Sequence, residues 1–119
     1  MDVLKAGIVG PGKVGHLISK ALKSVASCEY VAVCGRNPER TKVFAGQYGL
    51  NAYVDVSEMV SREKLDLVIV CTPHPAHRQP SIAAMKEGAH VMVEKPFASS
   101  IEDCDAMSDA AREYGRKLG

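Results

Sequence analysis

The stretch that decides the fold is Gly-Ile-Val-Gly-Pro-Gly-Lys-Val-Gly, residues 7–15 of a chain of 119 residues. The β-branched and aliphatic side chains from Val3 to Val9 predict a strand that is buried on both faces. This strand runs directly into Gly10, Gly12 and Gly15, which have the spacing G-x-G-x-x-G. A helical repeat of apolar residues follows, so the motif lies in the order strand, glycine turn, helix. The repeat consists of Val14, Leu17, Ile18, Ala21, Leu22 and Val25.

The glycine spacing predicts a site for the pyrophosphate of a dinucleotide. Gly10 permits a tight turn, Gly12 lets a phosphate approach the backbone, and Gly15 lets the helix pack close to the strand. The free amides and the dipole at the helix N-terminus attract the phosphates. The alternative that the glycines only tighten a βα turn stays open. We assign the whole turn to cofactor binding: Gly10, Pro11, Gly12, Lys13, Val14 and Gly15.

A phosphate loop of the Walker type is excluded. Gly10 and Gly15 also fit its glycine spacing, but that motif needs Lys and then Ser or Thr at the next positions. His16 and Leu17 stand there instead.

The composition predicts one soluble domain over residues 1–119. Hydrophobic residues make up 46% and charged residues 24%, which is ordinary for a globular protein. The formal net charge of +1 gives no sign of the strongly basic surface that binding to nucleic acid or an anionic membrane requires. We find no apolar run of membrane-spanning length and no signal peptide, so we expect a cytoplasmic protein with neither a membrane nor a nucleic-acid partner.

The four cysteines are widely spaced and form no C-x-x-C pair. We therefore expect buried, reduced thiols rather than disulfides or metal ligands. His74 and His77 form an H-x-x-H pair without an evident third ligand, so no metal site is predicted. The cysteines are Cys28, Cys34, Cys71 and Cys104.

The rest of the chain alternates between strand and helix patterns. Further strands are predicted at 29–35, 51–54, 67–71 and 90–93, and helices at 38–48, 57–62 and 78–87 and after Ser99 or Ser100. Asn37 and Pro38 start the second helix, Gly49 ends it, and Pro80 predicts a late start or a kink in the fourth. The alternation predicts an α/β fold with a doubly wound parallel sheet of about five strands, the Rossmann arrangement. The last helix has its apolar face at Ile101, Cys104, Met107, Ala111 and Tyr114.

Ligands of such sheets bind beyond the carboxyl ends of the strands. We therefore expect four segments to lie along one rim and to form the nucleotide site. They are 10–15, 35–40, 71–77 and 94–96.

The residues after the second strand favour NADP over NAD. An NAD site usually has Asp or Glu there, about 20 residues beyond the glycines, to bind the ribose 2′-hydroxyl. This chain has Gly35, followed by Arg36, and Arg40 comes one helical turn later. A guanidinium without a nearby carboxylate suits a 2′-phosphate. The alternatives are that Arg36 is only a solvated cation or stacks on the adenine of either cofactor.

The last of the four segments contains Glu94-Lys95-Pro96, directly after the fifth predicted strand. The nicotinamide end of the cofactor would lie there, and a lysine on that rim can donate a proton to a substrate oxygen during hydride transfer. A solvated lysine is the alternative at this point.

Three motifs resemble the N-terminal domain of the Gfo/Idh/MocA family of NAD(P)-dependent oxidoreductases, over residues 4–117. They are Arg-Asn-Pro-Glu-Arg at 36–40, Cys-Thr-Pro-His-Pro-Ala-His at 71–77, and Gly-Ala-His-Val-Met-Val-Glu-Lys-Pro-Phe-Ala at 88–98. The glycine turn agrees with the same family. The resemblance implies hydride transfer between a nicotinamide cofactor and a sugar, a cyclitol or a related hydroxy or oxo compound.

The resemblance also implies residue roles. Lys95 is expected to be the catalytic lysine, held in place by Glu94 and Pro96, and Glu94 and Lys95 also belong to the expected cofactor site. Thr72, Pro73 and His77 match positions that line the ribose and nicotinamide. His74 departs from the family, which often has Asn there.

Members of the family continue into a second domain that holds the substrate, a second catalytic residue and the oligomer interface. We therefore expect this chain to be a cofactor domain, whether a fragment, a truncated product or a naturally short protein. It should bind dinucleotide but turn over little substrate. We also expect the strand at His90–Val93 to be an uncovered edge that invites pairing between chains. The alternatives are a non-catalytic nucleotide-sensing module and a degenerate domain that binds nothing.

Overall fold

The computed structural model describes residues 3–72, 77–93 and 101–119, with Ile101 described by its backbone alone. Strands and helices alternate along these residues as predicted, and the strand bounds and those of the second, third and fourth helices agree with the predicted ones to within one residue. The elements are β1 (Leu4–Val9), α1 (Lys13–Lys23), β2 (Cys28–Cys34), α2 (Pro38–Tyr48), β3 (Asn51–Tyr53), α3 (Val56–Glu63), β4 (Leu67–Val70), α4 (Arg78–Lys86), β5 (His90–Val93) and α5 (Ile101–Tyr114).

The sheet has the strand order β3-β2-β1-β4-β5, and every pair is parallel. This order confirms the doubly wound sheet, because the chain moves outward from β1 first in one direction and then in the other. Val9 at the end of β1 is level with Cys34 of β2 and with Val70 of β4, and Val70 is level with Val93. Four strands therefore end in one row, and the segments that follow them begin along one rim.

Each face of the sheet carries its own core. Alternate residues of β2 point to opposite faces, so that Val33 joins one core while Ala32 and Cys34 join the other. The first core is closed by α1 and α2, with Phe44 as its largest buried helical side chain. The second core is closed by α3, α4 and α5, through Met59, Met85 and Ala110 among others.

The first helix buries a different face from the one that the apolar repeat predicts. Leu17 is 70% exposed, Val14 and Ala21 are also exposed, and Val25 lies beyond the end of α1. The buried residues of the helix are Gly15 and Ser19, with Ile18 and Leu22 packed at the edge of the core. The physical reason is lack of space at the start of the helix, since a Cβ on Gly15 would already collide with the Gly10 carbonyl oxygen and lie 3.4 Å from Cδ1 of Ile8 in β1.

The prediction of an uncovered edge at β5 is wrong. The segment 117–119 lies along β5 as the start of a further parallel strand, with Leu118 bridged to Val91. The Val93 amide donates to the Gly119 carbonyl over 2.7 Å, and Gly119 in turn donates to the Val91 carbonyl over 2.9 Å. These bonds satisfy the backbone groups of β5 that would otherwise be free to pair with another chain.

The local helix signals behave as expected in the described residues. Asn37 caps α2 by accepting from the Arg40 amide over 3.0 Å, and Gly49 ends that helix with a φ of 67°. The fourth helix begins at Arg78, which confirms the late start and leaves Pro80 in the first turn. In α5 Met107 is fully buried, and Ala110 joins the face beside Ala111 and Tyr114. The predicted caps at Ser99 and Ser100 lie outside the described residues.

All four cysteines are free thiols, but only Cys34 is buried. Cys28, Cys71 and Cys104 are half-buried, so the prediction of buried thiols holds for one position and is too strong for three. Across the described residues, no helix combines the length and the apolar character needed to cross a membrane.

The hydrogen bond between Ser19 and Tyr30 fixes α1 to β2, and its removal tests the packing of that helix. The two hydroxyl oxygens are 2.7 Å apart, and both side chains are buried. We expect Tyr30→Phe to lower the free energy of unfolding by about 1–3 kcal/mol, because it leaves the Ser19 hydroxyl buried without its partner. Urea unfolding followed by circular dichroism measures the change.

The matched control is the double variant S19A/Y30F, which removes both partners. It should cost less than the sum of the two single variants, with a coupling energy of about 1 kcal/mol. If the losses in free energy of unfolding of the two single variants added up to that of the double variant, a stabilising hydrogen bond between Ser19 and Tyr30 would be contradicted.

Candidate functional site

The turn between β1 and α1 is held against the end of β4. Gly10 has a φ of +106°, which L side chains rarely adopt, and its amide donates to the Cys34 carbonyl over 2.9 Å. A Cβ on Gly10 would lie 2.8 Å from the carbonyl carbon of Cys71 and from the nitrogen of Thr72. Both the backbone conformation and the close approach therefore require glycine at this position.

The two other glycines of the motif have opposite surroundings. A Cβ on Gly15 would collide with the Gly10 carbonyl oxygen, so the first turn of α1 packs directly on the turn before it. A Cβ on Gly12 would meet no atom of the described residues within 4 Å. Gly12 is the N-cap residue of α1, and neither a side-chain cap nor an acidic residue occupies that end of the helix. The result is an open surface beside an uncapped helix N-terminus, which is favourable for an anion.

The second segment of the site follows β2 and contacts the glycine turn. Gly35 is buried, and its amide donates to the Tyr53 carbonyl over 3.1 Å. A Cβ on Gly35 would lie 2.9 Å from Cγ and Cδ of Pro11, so the two segments pack directly against each other. Arg36 and Arg40 are both exposed, and neither guanidinium forms an ion pair with a described residue. The segment that contacts the turn through Gly35 thus carries two exposed guanidiniums that have no ion pair with a described residue.

The third segment, after β4, is held by His77. The His77 side chain is 1% exposed, and its Nε2 lies 2.7 Å from the Thr72 carbonyl oxygen. Because a carbonyl can only accept, Nε2 carries the proton and donates. Ser81 Oγ donates to the His77 carbonyl over 2.6 Å, which fixes the start of α4. His77 thus positions Thr72 beside Gly10, while direct contact of His77 with a cofactor stays a prediction.

Three of the predicted site residues lie outside the described residues, namely Pro73, Glu94 and Lys95, as do His74 and Pro96. Val93, which precedes Glu94, ends β5 level with Val70. The roles given to these residues stay predictions.

Cys34 is a buried titratable residue at the end of β2, directly before Gly35. Burial, with a smaller contribution from the negative charge of Asp55, raises the pKa of the Cys34 thiol to about 11. The thiol is therefore neutral near pH 7, which suits a packing residue rather than a nucleophile. Within residues 3–72, 77–93 and 101–119, no three His, Cys, Asp or Glu side chains converge as metal ligands would.

Two contacts near the site had no signal in the sequence. His16 Nδ1 lies 2.7 Å from the Tyr48 hydroxyl, and the His16 ring is 4.4 Å from the Phe44 ring between centroids, which ties α1 to α2. Thr41 on α2 is 1% exposed and faces Gly35. Both contacts join residues whose spacing in the sequence fits no motif, so only the fold could reveal them.

Comparison with known proteins agrees with this geometry. The Gfo/Idh/MocA family model, described as an oxidoreductase family with an NAD-binding Rossmann fold, matches residues 4–119. The chain belongs to this oxidoreductase family. The resemblance seen in the sequence motifs is thereby confirmed, and so is the assignment of the fold as the NAD-binding domain of the family.

Individual members of the family show what such domains are part of. A 4-carboxy-2-hydroxymuconate-6-semialdehyde dehydrogenase from Sphingobium is 34% identical over 94% of this chain and 36% of its own length. An inositol 2-dehydrogenase from Salmonella typhimurium is 31% identical over 97% of this chain and 35% of its own. The WlbA dehydrogenase from Bordetella pertussis, solved with NADH and UDP-GlcNAcA, superposes with a TM-score of 0.91 and is 28% identical over 98% of this chain and 36% of its own. This chain therefore spans about a third of the length of these relatives.

The contrast between Gly10 and Gly12 separates folding from binding. We expect Gly10→Ala to lower the free energy of unfolding by about 2 kcal/mol or more, because it combines a strained φ with a backbone collision. Gly12→Ala should lower the free energy of unfolding by no more than about 1 kcal/mol, because its Cβ enters open space and only the N-cap preference for glycine over alanine is lost, yet it should weaken dinucleotide binding by about tenfold where the phosphate approaches. Urea unfolding and a fluorescence titration with NADPH measure the two effects. A Gly12→Ala variant that binds as tightly as the wild type would contradict the placement of the phosphate.

Proposed function

We propose that this chain binds the pyrophosphate of a nicotinamide dinucleotide against Gly12 and the N-terminus of α1. The observation that carries the proposal is the uncapped first turn of α1 beside a position where even a Cβ would meet nothing. The amides of that turn would bind the phosphate oxygens, and the helix dipole adds to the attraction. Pro11, Lys13, Val14 and Gly15 belong to the same turn, and they are the residues that would surround the phosphates.

We propose NADP as the preferred cofactor and NAD as the alternative. The buried Gly35 brings no carboxylate to the ribose, and Arg36 and Arg40 are exposed guanidiniums without ion-pair partners among the described residues. A 2′-phosphate would gain charge-assisted hydrogen bonds from these groups, and no carboxylate at position 35 would repel it.

The reaction we propose is hydride transfer to or from a sugar, a cyclitol or a related hydroxy or oxo compound. The nicotinamide ring, when bound, supplies the hydride chemistry. By family resemblance Lys95 is the residue that passes a proton at the substrate oxygen, with Glu94 and Pro96 orienting it and with Thr72, Pro73 and His77 near the ribose and nicotinamide. The dehydrogenases among the relatives support the substrate class.

The site on this chain is only half of the proposed catalytic unit. The relatives are about three times as long, and we propose that substrate contacts, a second catalytic residue and a homo-oligomer interface come from a further domain. We further propose a cytoplasmic location, which suits the four free thiols. On this view the 119-residue chain binds cofactor but does not hold a substrate in reacting geometry.

A titration of the chain with NADPH and NADH, followed by nicotinamide fluorescence, tests the cofactor assignment. We expect tighter binding of NADPH. Arg36→Ala should weaken NADPH by about tenfold and NADH by less than about threefold, because only the former loses a charge-assisted bond.

The control for this titration is Arg112→Ala. Arg112 is an exposed guanidinium on α5, which packs on the opposite face of the sheet from α1. It should leave both affinities unchanged. An Arg36→Ala variant with an unaltered ratio of the two affinities would refute the assignment of NADP.

An assay of substrate turnover tests whether the 119-residue chain can catalyse the proposed reaction by itself. With NADP and an inositol, or with NADP and a UDP-sugar acid, we expect no change in nicotinamide absorbance above a protein-free blank, because nothing holds the substrate oxygen in place. Steady turnover would overturn this expectation. In that event Lys95→Met should abolish it if Lys95 is the proton donor.

A further inference from the structure

We infer that Thr41 restricts position 35 of the dinucleotide site to glycine, because its side chain fills the space that a carboxylate there would need. The inference rests on the proposed function and deepens it by naming a residue that excludes the NAD-type carboxylate from this site. It depends on Gly35, Thr41 and Pro11, all of which the structure describes.

In a dinucleotide-binding fold, the residue at position 35 is the one that can contact the 2′ position of the ribose and so distinguish NAD from NADP. In sheets of this kind a carboxylate directly after β2 accepts from the ribose 2′-hydroxyl, which selects NAD, whereas the same carboxylate repels a 2′-phosphate. Gly35 follows the last residue of β2, Cys34, and contacts the glycine turn through Pro11. Whatever prevents a side chain at position 35 therefore also prevents the NAD-type contact.

The backbone does not require glycine at position 35. The glycines with positive φ in the described residues are Gly10, Gly49, Gly88 and Gly115, and Gly35 is not among them. An L residue could adopt its conformation without strain. What prevents a side chain at this position is therefore the surrounding space alone.

That space is filled by two side chains. A Cβ on Gly35 would come closer than 3.0 Å both to Thr41 Oγ1 and to the ring carbons of Pro11, and real Cβ atoms essentially never approach so closely. The nearest of these atoms is Thr41 Oγ1. A carboxylate, which extends further than Cβ, would need still more room.

Neither neighbour can withdraw easily. Thr41 Oγ1 donates to the Asn37 carbonyl over 2.7 Å, and the side chain is 1% exposed, so rotation about χ1 would break a buried hydrogen bond. Pro11 is a rigid ring between Gly10 and Gly12, so it can move only with the phosphate-binding turn. Replacing Thr41 would remove the nearer of the two obstructions and let a Cβ at position 35 shift away from the Pro11 ring.

The exclusion of a carboxylate from position 35 affects the charge of the segment that follows β2. With position 35 closed, no carboxylate directly follows β2, and the segment that does follow carries the exposed guanidiniums of Arg36 and Arg40 together with the carboxylate of Glu39 in the first turn of α2. Thr41 acts on cofactor choice only through Gly35, by keeping a carboxylate out of that position.

The steric part is tested without any cofactor. We expect Gly35→Ala to lower the Tm by roughly 5–10 °C in the wild-type background. In the T41A background the same change should cost less than half as much. Gly46→Ala is the matched control, because Gly46 lies on the exposed side of α2 and its Cβ would meet nothing within 4 Å, so its Tm should not fall. An equal loss in both backgrounds overturns the inference.

The specificity part uses Gly35→Asp in the same two backgrounds, titrated with NADH and NADPH. In G35D/T41A the ratio of affinities should shift toward NADH by about tenfold or more relative to T41A, whereas G35D alone should shift it by less than about threefold. An equal shift in G35D alone, or no shift in the double variant, overturns the role of Thr41. If the wild type binds neither cofactor, the proposed function fails, and the melting experiment still decides whether Thr41 closes position 35.

Discussion

The approach of the β1–α1 turn to the backbone after β4 is the constraint on which the rest of the site depends. Gly10 lies so close to Cys71 and Thr72 that no side chain fits between them, and Gly15 packs on the Gly10 carbonyl in the same way. These two contacts bring α1 down onto the carboxyl edge of the sheet and leave its first amides uncapped. The exposed amides and the positive dipole end of this helix are thus a result of backbone packing.

The same closeness explains the packing of the first helix. The buried residues of α1 are the small ones, Gly15 and Ser19, and the Ser19 hydroxyl gains a buried partner in Tyr30. Larger apolar residues of α1, such as Leu17, point outward. On the other side of the turn, the buried His77 holds the Thr72 carbonyl and so keeps the facing segment in position. Among the described residues, buried contacts therefore hold the glycine turn and Thr72 in place, and a preformed arrangement of this kind lowers the cost of binding.

A second consequence of dense packing is chemical selectivity. Pro11 and Thr41 meet over Gly35, so the position that most often carries a ribose-binding carboxylate in this fold has no room for one. Selectivity for the cofactor can thus arise from volume exclusion at a buried residue as well as from the charges that face the ligand. The chain also accounts for about a third of the length of its relatives.

The sequence by itself determined the alternation of strands and helices, the glycine turn, the cap at Asn37 and the rim where the site lies, because each depends on residues close together in the chain. It also predicted the roles of Lys95 and Glu94, which lie outside the described residues and stay predictions. Only the tertiary structure decided which face of α1 is buried, that 117–119 covers β5, and that Thr41 closes the space over Gly35. Each of these depends on how closely separate elements approach one another, and that distance is set by the packing of the whole domain rather than by any local pattern.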